Sequence, residues 1–129
     1  MARDFYPRPQ FFAADAKCLF FADRQFDLVV SSCILQHVPN YRQHIEETCR
    51  VARELIIAHR TPVCRNKPTR RMAKQAYGVE TVEFCLNEQE ILLHFSLQGF
   101  ELIAERIITS IRDHDEYDIS YLFRKIVSS

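Results

Sequence analysis

Glycine is almost absent from this chain: of its 129 residues only Gly78 and Gly99 are glycines. A glycine-rich phosphate or dinucleotide loop needs several glycines within one turn, so these two cannot build one. The same scarcity excludes a glycine-flanked serine elbow. A surplus of one charge is missing as well. The 17 Lys and Arg balance the 17 Asp and Glu, which disfavours a dedicated nucleic-acid binder or a polybasic membrane protein. No window reaches the apolar length of a membrane span. No apolar run follows Met1-Ala2-Arg3-Asp4, so no secretory signal is read there, and the cytoplasm is the expected compartment. The five cysteines (Cys18, Cys33, Cys49, Cys64, Cys85) are odd in number and widely spaced. Without a CxxC pair, a zinc ribbon or a thioredoxin-like motif is excluded. They read as free thiols acting as small hydrophobes in a reducing compartment.

Hydrophobic residues make up 47% of the chain, enough for a core in one modest domain. Residues 1–10 are polar, carry Pro7 and Pro9, and read as a flexible N-terminal segment. Residues 11–129 read as the domain. Its organising stretch is Phe26 to Val38, FDLVVSSCILQHV. The run Leu28-Val29-Val30 is short, Val-rich and bounded, which suits a buried strand of a parallel sheet. It ends in the small polar residues Ser31 and Ser32, so its carboxyl end can face a ligand, as such ends do in open α/β sheets.

The rest of the chain alternates. Phe11 to Ala14 is expected as a short strand ending at Asp15. Asn40 is an N-cap for a helix over Tyr41 to Arg53, with Ile45, Cys49 and Ala52 on one face and a Glu46–Arg50 pair one turn apart. Leu55 to Ala58 reads as a second buried strand. Pro68 and Gly78 bracket an expected short helix over Thr69 to Tyr77. Val79 to Leu86 reads as extended. Asn87, with Glu90 three residues on, starts another helix that stops at Gly99. Phe100 to Ile111 and Asp118 to Val127 read as two strands joined by a charged turn, hence antiparallel.

In Asp15-Ala16, Phe26 to Ser32, and Leu35-Gln36-His37-Val38, the chain resembles the middle of a class I S-adenosylmethionine-dependent methyltransferase of the type 11-like group. Glu47 to Val51 is similar to the helix before that family's fifth strand. Gln98-Gly99-Phe100 is similar to the turn before its sixth. The resemblance implies an α/β fold: a partial Rossmann-like sheet with flanking helices and a C-terminal antiparallel hairpin. The family's sheet order is three, two, one, four, five, seven, six. The pieces matching strands one and two, with the glycine-rich cofactor loop, are not found here. The resemblance therefore implies a C-terminal portion, truncated or completed by another polypeptide.

The implied cofactor is S-adenosylmethionine, with weak or no binding expected of this chain alone. Asp15 and Ala16 would lie near its adenine, although Asp15 taken by itself reads first as a turn or helix cap. Ser31, Ser32 and Cys33 would line the space between cofactor and acceptor. His37 is the general-base candidate, since imidazole titrates near neutrality; the plainer alternative is that it only packs at the start of a connection. His59 is second. A metal site built from His37, His44 and Glu47 lacks any HExxH spacing, and no metal is expected.

The basic run Arg65, Lys67, Arg70, Arg71 and Lys74 reads as a solvated face or, more sharply, as an anion-binding lid over the active-site end of the sheet. No aromatic residues interleave it, which argues against nucleic acid. Expected partners are a small-molecule acceptor and, at the exposed sheet edge, a second copy or an N-terminal partner segment. Two functions stay open: a methyltransferase, and a non-catalytic module of the same half-fold that pairs through its open edge.

Overall fold

The Val-rich run at Phe26 forms a strand because its alternate residues have sheet neighbours on one side and a helix above. In a computed structural model describing residues 8–76, 78–112 and 115–127, β1 spans Phe26–Ser32. A single 3-10 turn over Leu35–His37 follows. Then come α1 (Tyr41–Val51), β2 (Ala52–Cys64), β3 (Arg70–Ala76), β4 (Val79–Asn87), α2 (Glu88–Leu97), β5 (Phe100–Arg112) and β6 (Glu116–Lys125). The expected flexible segment falls largely on residues 1–7, outside the described residues, and so does part of the charged turn before β6.

One six-stranded sheet carries the order β3-β4-β2-β6-β5, with β1 beside β2. β1 and β2 run parallel, Leu28 opposite Leu55 and Val30 opposite Ile57. β2 runs antiparallel to β6, and β6 to β5. The run β1, β2, β6, β5 therefore reproduces the family order four, five, seven, six, with the expected C-terminal hairpin.

Both helices pack on one face of the sheet. Ile45 of α1 and Ile91 and Phe95 of α2 are fully buried against Ile56, Ile119 and Phe123. Phe95 stacks on Phe123 with ring centroids 4.0 Å apart. The caps work as the sequence implies: the Asn40 side chain accepts from Gln43 N and that of Asn87 from Glu90 N. Gly99 takes φ +86, a left-handed turn that glycine makes without strain.

The opposite face is different. Register places Leu28, Leu55, Val30, Ile57 and Leu122 on it. Among the described residues no helix covers them, and Leu28 and Val30 stand 46% and 55% exposed. Parallel strands usually have both faces covered.

Three expectations need correction. Phe11 to Ala14 is not a strand: a strand needs a ladder partner, and that segment instead folds back through an Asp15–Cys18 bridge. The expected helix over Thr69 to Tyr77 is the strand β3, paired along its length with β4. Its few apolar residues make no helical stripe, and Gly78, at φ +76, turns the hairpin rather than ending a helix. The second buried strand starts at Ala52, directly after α1, and runs on to Cys64.

Candidate functional site

The carboxyl end of β1 faces α1 through Ser31. Ser31 shares a ladder with Ala58 and Tyr121, on the helix-covered face, and is buried. His44, on α1, reaches it: Nε2 lies 2.9 Å from Ser31 Oγ. The other ring nitrogen, Nδ1, lies 2.8 Å from the carbonyl of Ala16. A carbonyl can only accept, so Nδ1 carries the proton and Nε2 accepts from the serine hydroxyl. Burial lowers the imidazole pKa, and the hydrogen bond to Ala16 opposes this only in part. The ring is a neutral strut between the loop at Asp15-Ala16 and the end of β1.

Two further residues of α1 hold the same loop. Glu47 accepts from Leu19 N at 2.9 Å. Arg50 donates to the carbonyls of Leu19 (2.9 Å) and Phe21 (2.8 Å), and pairs with Asp23 and Glu47. His44, Glu47 and Arg50 are three apart, so each stands one turn above the last. The expected Glu46–Arg50 pair is replaced by these contacts, because the loop supplies better acceptors. The loop is padded by Phe12, Phe20, Phe21 and Phe26, in ring contacts of 4.6 to 5.7 Å.

Between this loop and β1 lies a cavity of about 440 Å³. Its walls are mostly apolar (Phe11, Phe12, Leu19, Val29, Val30), with Gln10, Ser31, His44 and Thr48 as polar points. That volume and balance are typical of a small-molecule site.

The sequence candidates fall as follows. Ala16 and Ser31 line the cavity. Asp15 is exposed at its border, and its carboxylate accepts from Lys17 N at 2.9 Å, a turn-capping contact. Ser32 and Cys33 are exposed at the end of β1. Cys33 has φ +55, an uncommon conformation for a side-chain-bearing residue, and its N–H donates to the carbonyl of His59 at 3.0 Å. His37 is exposed on the 3-10 turn. His59 lies on the opposite sheet face, opposite Ser32 in register, with Nδ1 2.6 Å from Ser120 Oγ.

His44 escaped the sequence reading as a site residue. Its signal is the spacing His44, Thr48, Val51, a buried stripe on α1 that an exposed histidine would not share. Its contacts with Ser31 and Ala16, and those of Glu47 with Leu19 and Arg50, occupy two members of the conjectured metal triad. Among the described residues no group of three or more His, Cys, Asp or Glu is arranged to hold a metal ion.

Solved structures of the class I S-adenosylmethionine-dependent methyltransferase fold superpose on the chain. A Burkholderia thailandensis 1,6-didemethyltoxoflavin-N1-methyltransferase, solved with S-adenosylhomocysteine bound, matches at TM-score 0.67 and 18% identity, over 98% of this chain and 55% of its own. A Methanosarcina mazei S-adenosylmethionine-dependent methyltransferase matches at 0.62 and 16%, over 89% and 66%. The [4+2]-cyclase SpnF matches at 0.66 and 18%, over 98% and 60%. Residues 1–55 match the family model described as a methyltransferase domain. No curated protein matches the chain. The resemblance read from the sequence thus holds for the fold, and for residues 1–55 at the level of sequence. The chain spans between about half and two thirds of the length of these three structures. The cyclase among them is a reminder that a fold hosts more than one reaction. Among the described residues no helix is long and apolar enough to cross a membrane.

Proposed function

We propose that the chain forms one wall of an S-adenosylmethionine-dependent methyltransferase site acting on a small-molecule acceptor. The facing wall would come from a segment that pairs with the open edge of β1: a second copy or an N-terminal partner segment. One observation carries this reading. His44 fastens Ala16 to Ser31, and so joins the two stretches that the resemblance places beside the cofactor, around a cavity of fitting size.

The residues present fit one side of the cofactor. Apolar walls suit a purine, and Asp15, at the border, offers a carboxylate to an exocyclic amine. Ser31, Ser32 and Cys33 would shape the passage to the acceptor. When bound, S-adenosylmethionine supplies an electrophilic methyl group. The chain's task is then to hold the acceptor in line and to exclude water. An acceptor that must lose a proton needs a base, and His37, exposed just past the strand end, would serve as one. A cytoplasmic setting agrees with five free thiols.

A second reading is favoured by the uncovered face: Leu28 and Val30 are exposed beside an unpaired strand edge, which suits a non-catalytic module that binds a partner strand. Amide NMR during titration with S-adenosylhomocysteine separates the two. The enzyme reading expects saturable shifts at Asp15, Ala16 and Ser31 to Cys33 at millimolar ligand. Shifts scattered elsewhere, or none, would favour the module.

A further inference from the structure

A second cavity, of about 430 Å³, lies at the far carboxyl end of β2, away from the His44 cavity. Its lining includes Cys64, Lys67, Thr69, Arg70, Arg71 and Glu116. We propose that this cavity binds an anionic oxygen group, a phosphate or a carboxylate, on the methyl acceptor. Naming it an acceptor site rests on the methyltransferase reading; the anion binding itself does not.

The charge balance is the first argument. Three cations border the cavity against one carboxylate. That carboxylate, Glu116, is buried and already engaged by Arg70 at 2.7 Å. Lys67 and Arg71 are exposed and have no ion pair with any described residue. Arg65, the other cation of the run, is used up between Glu88 and Glu105. A second carboxylate lies outside the lining: buried Asp115 accepts from Asn66 N at 2.8 Å and acts on Cys64. The rim still keeps a net positive charge.

The second argument is rigidity. The carbonyl of Lys67 accepts from the Cys64 thiol at 3.2 Å and from Asn87 Nδ2 at 2.7 Å. Burial raises the Cys64 pKa, which keeps it a protonated donor. Thr69 Oγ1 accepts from Asn87 N and donates to Glu90. The turn that carries Lys67 is thus fastened at both ends before any ligand arrives, so little ordering remains to oppose binding. Paired cations on a fixed frame recognise phosphate and carboxylate oxygens by charge-assisted hydrogen bonds.

The third argument is place. The cavity opens at the carboxyl end of β2, the end at which open α/β sheets bind ligands. The corrected structure of this stretch matters here. As the strand β3 rather than a solvated helix, residues 70–76 are pinned to β4, which makes the basic run a wall and not a loose lid.

The test is an amide NMR titration of the full chain with inorganic phosphate and, separately, malonate, at constant ionic strength set with chloride. The proposal expects saturable shifts centred on Lys67, Arg70 and Arg71. Lys67→Glu and Arg71→Glu should each weaken binding by about tenfold or more, whereas Arg53→Glu, remote on β2, should leave it unchanged. Tighter binding of phosphate or of malonate tells which group the acceptor carries. Shifts that do not saturate, or binding unaltered in both rim variants, overturn the proposal. Because no cofactor is present, that result is independent of whether the chain supports methyl transfer.

Discussion

Replacing His44 by Ala removes the strut between Ala16 and Ser31, and its cost can be worked from the structure. Two hydrogen bonds of 2.8 and 2.9 Å are lost, at about 1 kcal/mol net each. The Ser31 hydroxyl is buried and loses its partner. The Ala16 carbonyl sits in a half-buried loop that water can reach. Removing the ring from a buried site adds about 1 to 2 kcal/mol for lost packing. The sum is about 3 to 4 kcal/mol, a large part of the ~5–15 kcal/mol typical of a domain. Urea unfolding monitored by circular dichroism reads this as a lower midpoint at unchanged slope. A double-mutant cycle with Ser31→Ala should return a coupling of about 1 kcal/mol. His44→Asn, which retains a donor near the Nδ1 position, should recover part of the loss and restore the amide shifts of Asp15 to Lys17. A loss below about 1 kcal/mol, with those shifts unmoved in the Ala variant, would refute the strut.

Further outcomes follow from titration and exposure. The depressed pKa of His44 means that the unfolded chain takes its proton first, so stability should fall as pH drops below the ordinary value of 6.5 toward the lower folded value; pH-dependent urea midpoints of wild type and His44→Gln should differ in that window. Glu90 is opposed by burial, but hydrogen bonds from Arg42, Tyr41 and Thr69 bring its pKa down to about 2. Its contribution should therefore be complete above about 4.5 and vanish as pH falls toward 2, a loss that Glu90→Gln should not show. Cys18 and Cys33 are exposed while Cys49, Cys64 and Cys85 are buried, with burial pushing Cys49 and Cys85 up to about 12. Two thiols should react quickly with a disulfide reagent and three only on unfolding. Gly99→Ala should cost about 1 kcal/mol for the left-handed backbone, read by thermal unfolding; the Lys125 ammonium that its Cβ would meet at 2.9 Å can swing aside.

What could be read from the sequence was whatever is coded locally. The Val-rich run of β1, the pair Ile45 and Cys49 and the two asparagine caps each declare their element through contacts within a few residues. The capping box at Asn87 is only half formed, because Glu90 turns away to Tyr41, Arg42 and Thr69; the pull came from another element and was invisible locally. The same holds for β3, whose Pro68 and Gly78 brackets fit a strand and hairpin as well as a helix, and whose choice was made by β4. At the site, Ser31 and Ala16 were reachable through motif resemblance. The contacts of His44 and Arg50 were not, since the partners lie 13 to 31 residues away. Distances of that kind are fixed by topology.

The proposed cofactor site is half-built, beside the open edge of β1. Isothermal titration of the purified chain with S-adenosylmethionine, with its mass in solution determined in the same sample, tests this most directly. A half-built site gives no micromolar binding by a monomer, and micromolar binding only when a partner chain or segment occupies that edge. A tight isotherm on a monomer would contradict it.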